Sequence, residues 1–472
     1  MPEHDAIVVG AGPNGLAAAI TLARAGRSVL VLEAAETVGG GTRSAELTLP
    51  GFVHDVCSTA HPLALGSPFL GGLPLAEHGL ELVHPPAPLA HPLDDGTAVL
   101  LERSVAATAR GLGPDAEAYR RMMEPLVRDA ERLLPQILGP LRPPRHPLVL
   151  ARFGLDALSS ANGLARRRFA GERARALFAG CAAHSILSLR RPVSASFGLV
   201  LALLGHTVGW PLVRGGSQRL ADALSSHLRS LGGEIETGRR IGSLAELADA
   251  RAVLLDLTPR QVLELSGDRL PDRYRRALGR YRYGAGVFKL DWALGGPIPW
   301  RAPEAARAGT VHLGGTLEEL VASEEIVARG GHPERPYVLL VQSTLFDGDR
   351  APDGQHTAWA YCHVPNGSTR DMTAAIEGQI ERFAPGFRDR ILARSAMDTA
   401  AVERHDANCI GGDINGGMQD LGQLFTRPVA RPVPYSTPVE GLFICSSSTP
   451  PGGGVHGMCG HFAARAALRR MT

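Results

Sequence analysis

The chain has 472 residues, 44% of them hydrophobic and 20% charged, with a formal net charge of +2. That length exceeds one small core and suits two intimately built domains, and the balance excludes a disordered chain or a basic field recruiting nucleic acid. The first predicted element is a buried strand, because Asp5 to Gly10 is a short apolar, β-branched run. Gly10-Ala-Gly12-Pro-Asn-Gly15 follows at once. An Ala/Leu-rich helix then runs from Leu16 to Ala25 until Gly26 stops it, and a second buried strand, Ser28–Leu32, ends on Glu33. Strand, glycine turn, helix, strand and acid are the whole context that a dinucleotide-binding fingerprint requires. Gly10 permits the tight turn, Gly12 lets the backbone approach a pyrophosphate, and Gly15 lets the helix pack on the strand. The helix N-terminus offers free N–H groups and a positive dipole end to phosphates. Glu33 can accept hydrogen bonds from ribose hydroxyls, and its charge would repel a 2′-phosphate, which argues against NADP.

A second glycine cluster, Gly39-Gly40-Gly41-Thr42-Arg43-Ser44, comes just after Glu33. It resembles the GG-x-x-R extension of the amine oxidase and phytoene desaturase superfamily of flavoproteins. In that family the extension lies along the FAD pyrophosphate, where the forked donors of arginine suit the role. The resemblance implies FAD as cofactor and an α/β fold: a Rossmann-like FAD-binding domain of the GR2 type with a discontinuous α+β substrate domain. Carried onto this chain, it assigns Gly10, Gly12, Pro13, Asn14, Gly15, Glu33, Ala34, Gly40, Gly41, Thr42 and Arg43 to the cofactor.

Further along, the pattern predicts a helix from Asp115 to Leu138 and a Pro- and Arg-rich stretch from Leu141 to Arg168. The uncharged run Val193 to Val213 is long enough to span a bilayer. Gly198, Gly205, His206, Gly209 and Pro211 within it favour a buried helix that ends in a turn. Peripheral membrane contact stays open. The segment from Pro211 through Thr237 resembles the part of the family fold whose backbone touches the adenine, and there Ile241 is the matching residue. Superfamily members often insert a β-hairpin next, whereas residues 242–251 lead directly to the strand Ala252–Leu257. Near the far end, the strand Gly441–Cys445 precedes Ser446-Ser-Ser-Thr-Pro-Pro-Gly-Gly-Gly-Val-His456-Gly and a helix from Met458 to Arg470. Gly452 to Gly457 repeats the GxGxxG spacing, but no further strand or ribose-binding acid follows before Thr472. The family instead lays this segment against the flavin ring and ribityl chain, with the helix N-terminus stabilising negative charge at the flavin N1/O2 edge. That places Ser447, Gly454, Val455 and His456 at the cofactor, with Ser447 standing where many members carry an acid. The expected FAD-binding domain is therefore 1–75, 207–262 and 425–472, and the substrate domain 76–206 and 263–424. The latter includes predicted strands at Gly286–Leu294, Tyr337–Gln342 and Thr357–His363.

Two residues are catalytic candidates. Lys289 is the one lysine in a chain that otherwise uses arginine. Strand alternation puts it on one face with Val287 and Asp291, and amine oxidases carry a lysine on a comparable strand, where a water links it to flavin N5. A salt-bridged lysine is the plain alternative. His456 sits in the flavin-facing turn and suits acid or base use, or a capping role at the helix. Cys57-Ser-Thr-Ala-His61-Pro and Gly411 to Gly417 are polar loops that could line a pocket. The six cysteines show no CxxC or zinc-ligand spacing, so no metal is expected and the thiols read as reduced. Glu3, His4 and Asp5 open the chain without an apolar leader, which suits a cytoplasmic enzyme. The expected activity is a flavin-dependent dehydrogenase or desaturase that moves a hydride from a small, largely apolar substrate to flavin N5. The alternatives are a flavin amine oxidase, a redox-neutral flavin isomerase and a non-catalytic FAD-binding protein. Gly454, at the position of the amine oxidases' C-terminal tyrosine, and an aromatic content of 5% count against the amine oxidase.

Overall fold

The computed structural model describes residues 4–247 and 250–471. Glu3 and Thr472, named in the readings above, lie outside the described residues, as do two positions of the 242–251 segment. Four short apolar runs, joined at one edge by the partly exposed Glu-Ile-Glu strand β5, form one wholly parallel sheet: β1 (Ala6–Val9), β2 (Val29–Leu32), β5 (Glu234–Glu236), β6 (Ala252–Leu255) and β12 (Leu442–Ile444), in the order β12-β6-β1-β2-β5. Their Val/Leu/Ile content suits a sheet covered on both faces. Helix α1 (Pro13–Ala23) covers one face and is buried from Asn14 onwards. It packs against α6 (Met458–Met471) and α5 (Gln218–Ser230). The approach to α6 is close enough that a Cβ on Gly460 would overlap the Asn14 carbonyl.

The second sheet has seven strands: β3 (Ala87–Pro92), β4 (Ala98–Leu101), β7 (Gly286–Leu294), β8 (Ala308–Leu313), β9 (Val338–Val341), β10 (His356–Val364) and β11 (Ile391–Met397). Their order is β11-β7-β10-β9-β8-β3-β4, antiparallel except where β8 meets β3. One face packs into an apolar cluster around Trp292, Phe387 and Ile376. The opposite face carries Lys289, Asp291, Trp359, Tyr361, Thr310, His312 and His91. Over it lies a helical layer that includes α2 (Pro147–Ala157), α3 (Glu172–Ala183) and α4 (Ser194–Thr207). Helix α4 takes up most of the uncharged 193–213 run as a buried core helix. No helix among the described residues is long and apolar enough to cross a membrane. The helix expected over Asp115–Leu138 is instead two, Ala116–Arg128 and Ala130–Ile137. The chain breaks at Asp129, whose backbone leaves the helical region between the two N–H-lacking residues Pro125 and Pro135.

Candidate functional site

A single cavity of about 1150 Å³ runs from the glycine turn after β1 to the helical layer over the seven-stranded sheet. Fifteen of the residues assigned to the cofactor from sequence line it: Gly10, Gly12, Pro13, Asn14, Glu33, Ala34, Gly40, Gly41, Thr42, Arg43, Ile241, Ser447, Gly454, Val455 and His456. Gly15 lies beneath the turn, and a Cβ there would collide with the Gly10 carbonyl.

The turn is held from below by Asp256, at the end of β6. Its Oδ2 accepts the Gly15 N–H at 2.8 Å, and a Cβ on Gly12 would sit 3.0 Å from the same oxygen. Burial pushes the Asp256 carboxyl up to about 8, and the nearby Asp406 and Glu33 push in the same direction. No local pattern marks Asp256, because only the fold brings it to a turn more than 240 positions away. Glu33 is fixed by two backbone donors, Ala11 N–H to Oε2 at 2.7 Å and Ala35 N–H to Oε1 at 2.8 Å. Each oxygen keeps a lone pair for a further donor.

Several groups here have unmet hydrogen-bonding capacity that suits FAD. Helix α1 begins at Gly12; Pro13 has no N–H and the Gly15 N–H goes to Asp256, which leaves the Asn14 N–H without a partner among the described residues. Asn14 Oδ1 and Arg43 Nε are buried without a partner among the described residues. Gly10 and Gly12 line the opening without a Cβ. Neither the N–H nor the C=O of Ile241 is engaged among the described residues. A pyrophosphate would satisfy the Asn14 N–H and Arg43 donors, and ribose hydroxyls would donate to the free lone pairs of Glu33. Thr42 serves its own turn, its hydroxyl donating to the Gly39 carbonyl at 2.8 Å. His456 is fully committed within its loop. Its Nδ1 accepts the Met458 N–H at 3.1 Å and its Nε2 donates to the Gly452 carbonyl at 3.1 Å, while burial holds the ring down to about 4.

Lys289 does not line the main cavity. It is buried on β7 and ion-paired with Asp291, and its ammonium lies 5.5 Å from the centre of the Trp359 ring. Burial pushes Asp291 up to about 6 against the opposing pull of Lys289. His54 approaches the other Asp291 oxygen at 3.6 Å, but burial and Lys289 hold that ring down to about 3, so it is neutral. Lys289 faces a side void of about 20 Å³, enough for one water. Cys57, Tyr361, His405, Asp406, Cys409 and Ile414 line both this void and the main cavity. Of the two polar loops named from sequence, the first contributes Cys57 to Pro62 to the cavity wall and the second Asp413 to Gly416. An aromatic wall escaped the sequence reading. Trp359 and Tyr361, two apart on β10, stack with centroids 5.6 Å apart and face the cavity. Low overall aromatic content hid a local pair that strand alternation would place on one face.

Residues 8–66 match the NAD(P)-binding Rossmann-like domain family. The chain is 28% identical to "pyridine nucleotide-disulfide oxidoreductase domain-containing protein 2" of Mus musculus, across 99% of this chain and 94% of that protein. It is 27% identical to the phytoene dehydrogenase of Streptomyces griseus, across 88% of this chain and 81% of that enzyme. Among solved structures, putrescine oxidase bound to putrescine superposes with a TM-score of 0.62 at 19% identity, covering 99% of each chain. Over most of its length the chain is thus similar to oxidoreductases, a phytoene dehydrogenase among them, and it shares the fold of putrescine oxidase.

Proposed function

We propose that this protein is an FAD-dependent dehydrogenase or desaturase acting on a largely apolar small molecule in the cytoplasm. The observation that carries the reading is the continuity of one cavity, with the start of α1 and Arg43 at one end and Phe153, Leu158, Phe197, Val200 and Leu339 at the other. Segments 1–75, 207–262 and 425–472 hold the cofactor, and the intervening chain holds the substrate. When bound, FAD supplies the two-electron acceptor for a hydride leaving a substrate carbon. The chain's own residues do the rest. The α1 N-terminus and Arg43 hold the pyrophosphate, Glu33 the ribose, Ile241 the adenine, and the Gly454–His456 loop supports the ring end. His456 acts there by fixing the loop. Lys289 Nζ, fixed by Asp291, donates to a water in the side void and so presents a proton donor at the cavity wall. The apolar helices exclude bulk water from the reacting carbon.

The purified protein should be yellow and should release FAD, not FMN or NAD, on denaturation. A colourless protein that cannot be reconstituted with FAD would overturn the reading. Lys289→Arg keeps the charge, but its wider fork should displace the water. Flavin half-reactions in that variant should slow by about one to three powers of ten, or roughly 1.4–4 kcal/mol, and unchanged rates would remove Lys289 from the mechanism. An amine oxidase is the second reading, favoured by the stacked Trp359 and Tyr361 wall. Anaerobic bleaching of the flavin by simple primary amines, with none by apolar substrates, would select it.

A further inference from the structure

The substrate half of the cavity is mostly apolar: Gln136, Arg142 and Ser196 also line it but engage nearby backbone groups, and one further polar place remains. His184, at the end of α3, lines it together with Thr310 and Trp210. The His184 ring meets Trp210 edge-on at 5.7 Å, and its Nε2 lies 2.9 Å from Nε2 of His312, a fully buried residue on β8. Thr310, two residues earlier on the same face of β8, is 1% exposed, and its hydroxyl is buried with no partner among the described residues. Unsatisfied buried hydroxyls are uncommon and call for an explanation.

The direction of the His184–His312 bond follows from the surroundings. His312 Nδ1 is buried without a partner. It faces the space over Gly180, where a Cβ would sit 2.9 Å from it and 3.1 Å from Nδ1 of His91. His91 donates its Nε2–H to the Gly315 carbonyl at 2.7 Å, so its Nδ1 carries a lone pair. A proton on His312 Nδ1 would be an orphaned buried donor, and a lone pair there costs less. His312 therefore carries its proton on Nε2 and donates to His184 Nε2, which leaves the His184 proton on Nδ1. That atom has no partner among the described residues and is not among the sealed ones. No group of three or more His, Cys, Asp or Glu side chains among the described residues could hold a metal ion. Burial lowers His184 to about 3 and His312 well below the usual range, so the pair is neutral.

The sheet register fixes how far this point lies from Lys289. Lys289 pairs with Tyr361, Tyr361 with Leu339, and Leu339 with His312, in one row across four neighbouring strands. Three strand spacings make about 14 Å.

We propose that Thr310 and His184 form a subsite that binds one neutral hydroxyl or carbonyl oxygen of an otherwise apolar, extended substrate, with His312 setting the tautomer of His184. Both residues donate to that oxygen, Thr310 through its O–H and His184 through Nδ1–H. A carboxylate is not the ligand, because the neutral histidine pair brings no charge to balance it. The inference rests on the proposed function in one respect: the 14 Å separation measures substrate length only if Lys289 lies beside the flavin.

The test compares binding of 1-decanol and n-decane to the FAD-loaded protein, read by calorimetry or by perturbation of flavin absorbance. Wild type should bind the alcohol about tenfold more tightly than the alkane, as expected for roughly one net hydrogen bond. Thr310→Val is nearly isosteric and should remove most of that preference. His184→Phe keeps the edge contact with Trp210 and should also remove it, with FAD content and melting temperature showing that each variant is folded. Equal affinities in wild type, a preference that survives both substitutions, or no binding of either ligand would overturn the subsite. The readout is independent of the reading it rests on. If Lys289→Arg leaves flavin half-reactions unchanged while the alcohol preference follows Thr310 and His184, the Lys289 assignment fails and the subsite stands.

Discussion

Asp256 shows how one buried carboxyl can make the dinucleotide turn sensitive to pH. It sits against Gly10, Gly12 and Gly15, where a phosphate-bearing ligand would be most disturbed by a second negative charge. Its carboxyl is raised to about 8, chiefly by burial. The unfolded chain releases this proton near pH 4, and the folded chain holds it to about 8. The native state therefore binds the extra proton between those limits, and the stability it contributes falls as pH rises from about 4 through about 8. Asp256→Asn keeps an oxygen for the Gly15 N–H and cannot ionise. It should flatten the alkaline fall in melting temperature, a gain on the order of a few kcal/mol above pH 8. It should also slow alkaline release of FAD, followed by the fluorescence of the free cofactor. Identical pH profiles for wild type and variant would show that Asp256 does not hold its proton. Gly12→Val tests the same turn from above. Its branched side chain would fill the approach to the pyrophosphate and press on Asp256 Oδ2, so FAD content should fall to near zero. Normal FAD binding in that variant would place the pyrophosphate elsewhere.

At the scale of the element, β7 resolves what alternation alone left open about Lys289. All nine of its residues are buried, because β11 and β10 flank it and both of its faces are covered. A charge on such a strand survives only if paired, and Asp291, two residues on along the same face, supplies the partner. Any test of Lys289 by charge removal therefore has a structural component. Lys289→Met should lower stability by about 3–5 kcal/mol at neutral pH, because it strands the Asp291 carboxylate. Asp291 already titrates near pH 6 with its partner present. Without the ammonium its proton is held to higher pH, so the penalty should shrink toward pH 5 and grow toward pH 8. Lys289→Met/Asp291→Asn should recover most of the loss in a denaturant titration. If flavin reduction stays slow in the stable double variant, the defect is chemical. If it returns to the wild-type rate, the single variant was impaired only through its fold.

Across the whole molecule, what was legible in the sequence was what short spacing dictates. The glycine turn, α1 and the Glu33 acid lie within a few dozen residues of one another, and the strands Gly286–Leu294 and Thr357–His363 announce themselves by continuous β-formers. The features that escaped are pairings across long stretches of chain: Asp256 under Gly15, His184 against His312, and Lys289 beside Trp359. No local pattern encodes these, because the two sheets bring them together only when folded. Arg350 is the clearest such case. It is 1% exposed, and its guanidinium binds Asp55 at 2.6 Å, Asp347 at 2.7 Å and the Val213 carbonyl at 2.5 Å. Asp55 also accepts the Ser44 hydroxyl and the Ser217 N–H, each at 2.7 Å. One buried cation thus ties the turn between β9 and β10 to the hairpin behind the second glycine cluster and to the start of α5. Burial works against the Asp55 charge, but Arg350 and these donors outweigh it and hold the carboxyl down to about 2. The stability that Asp55 contributes is therefore present above about pH 4 and is lost as pH falls through about 2. Arg350→Met should cost about 3–5 kcal/mol at pH 7, since Asp55 would remain buried without a cation and Asp347 would keep only Arg214, at 3.7 Å. It should also flatten the acid limb, because Asp55 would then take up its proton in the folded state before the wild-type carboxyl does. Arg350→Lys cannot reach all three acceptors at once and should fall between the two. Urea titrations at pH 7 and pH 3 distinguish the outcomes: a deficit equal at both pH values would mean that Arg350 contributes packing alone, and a deficit that narrows at pH 3 would identify it as the charge that joins these three segments.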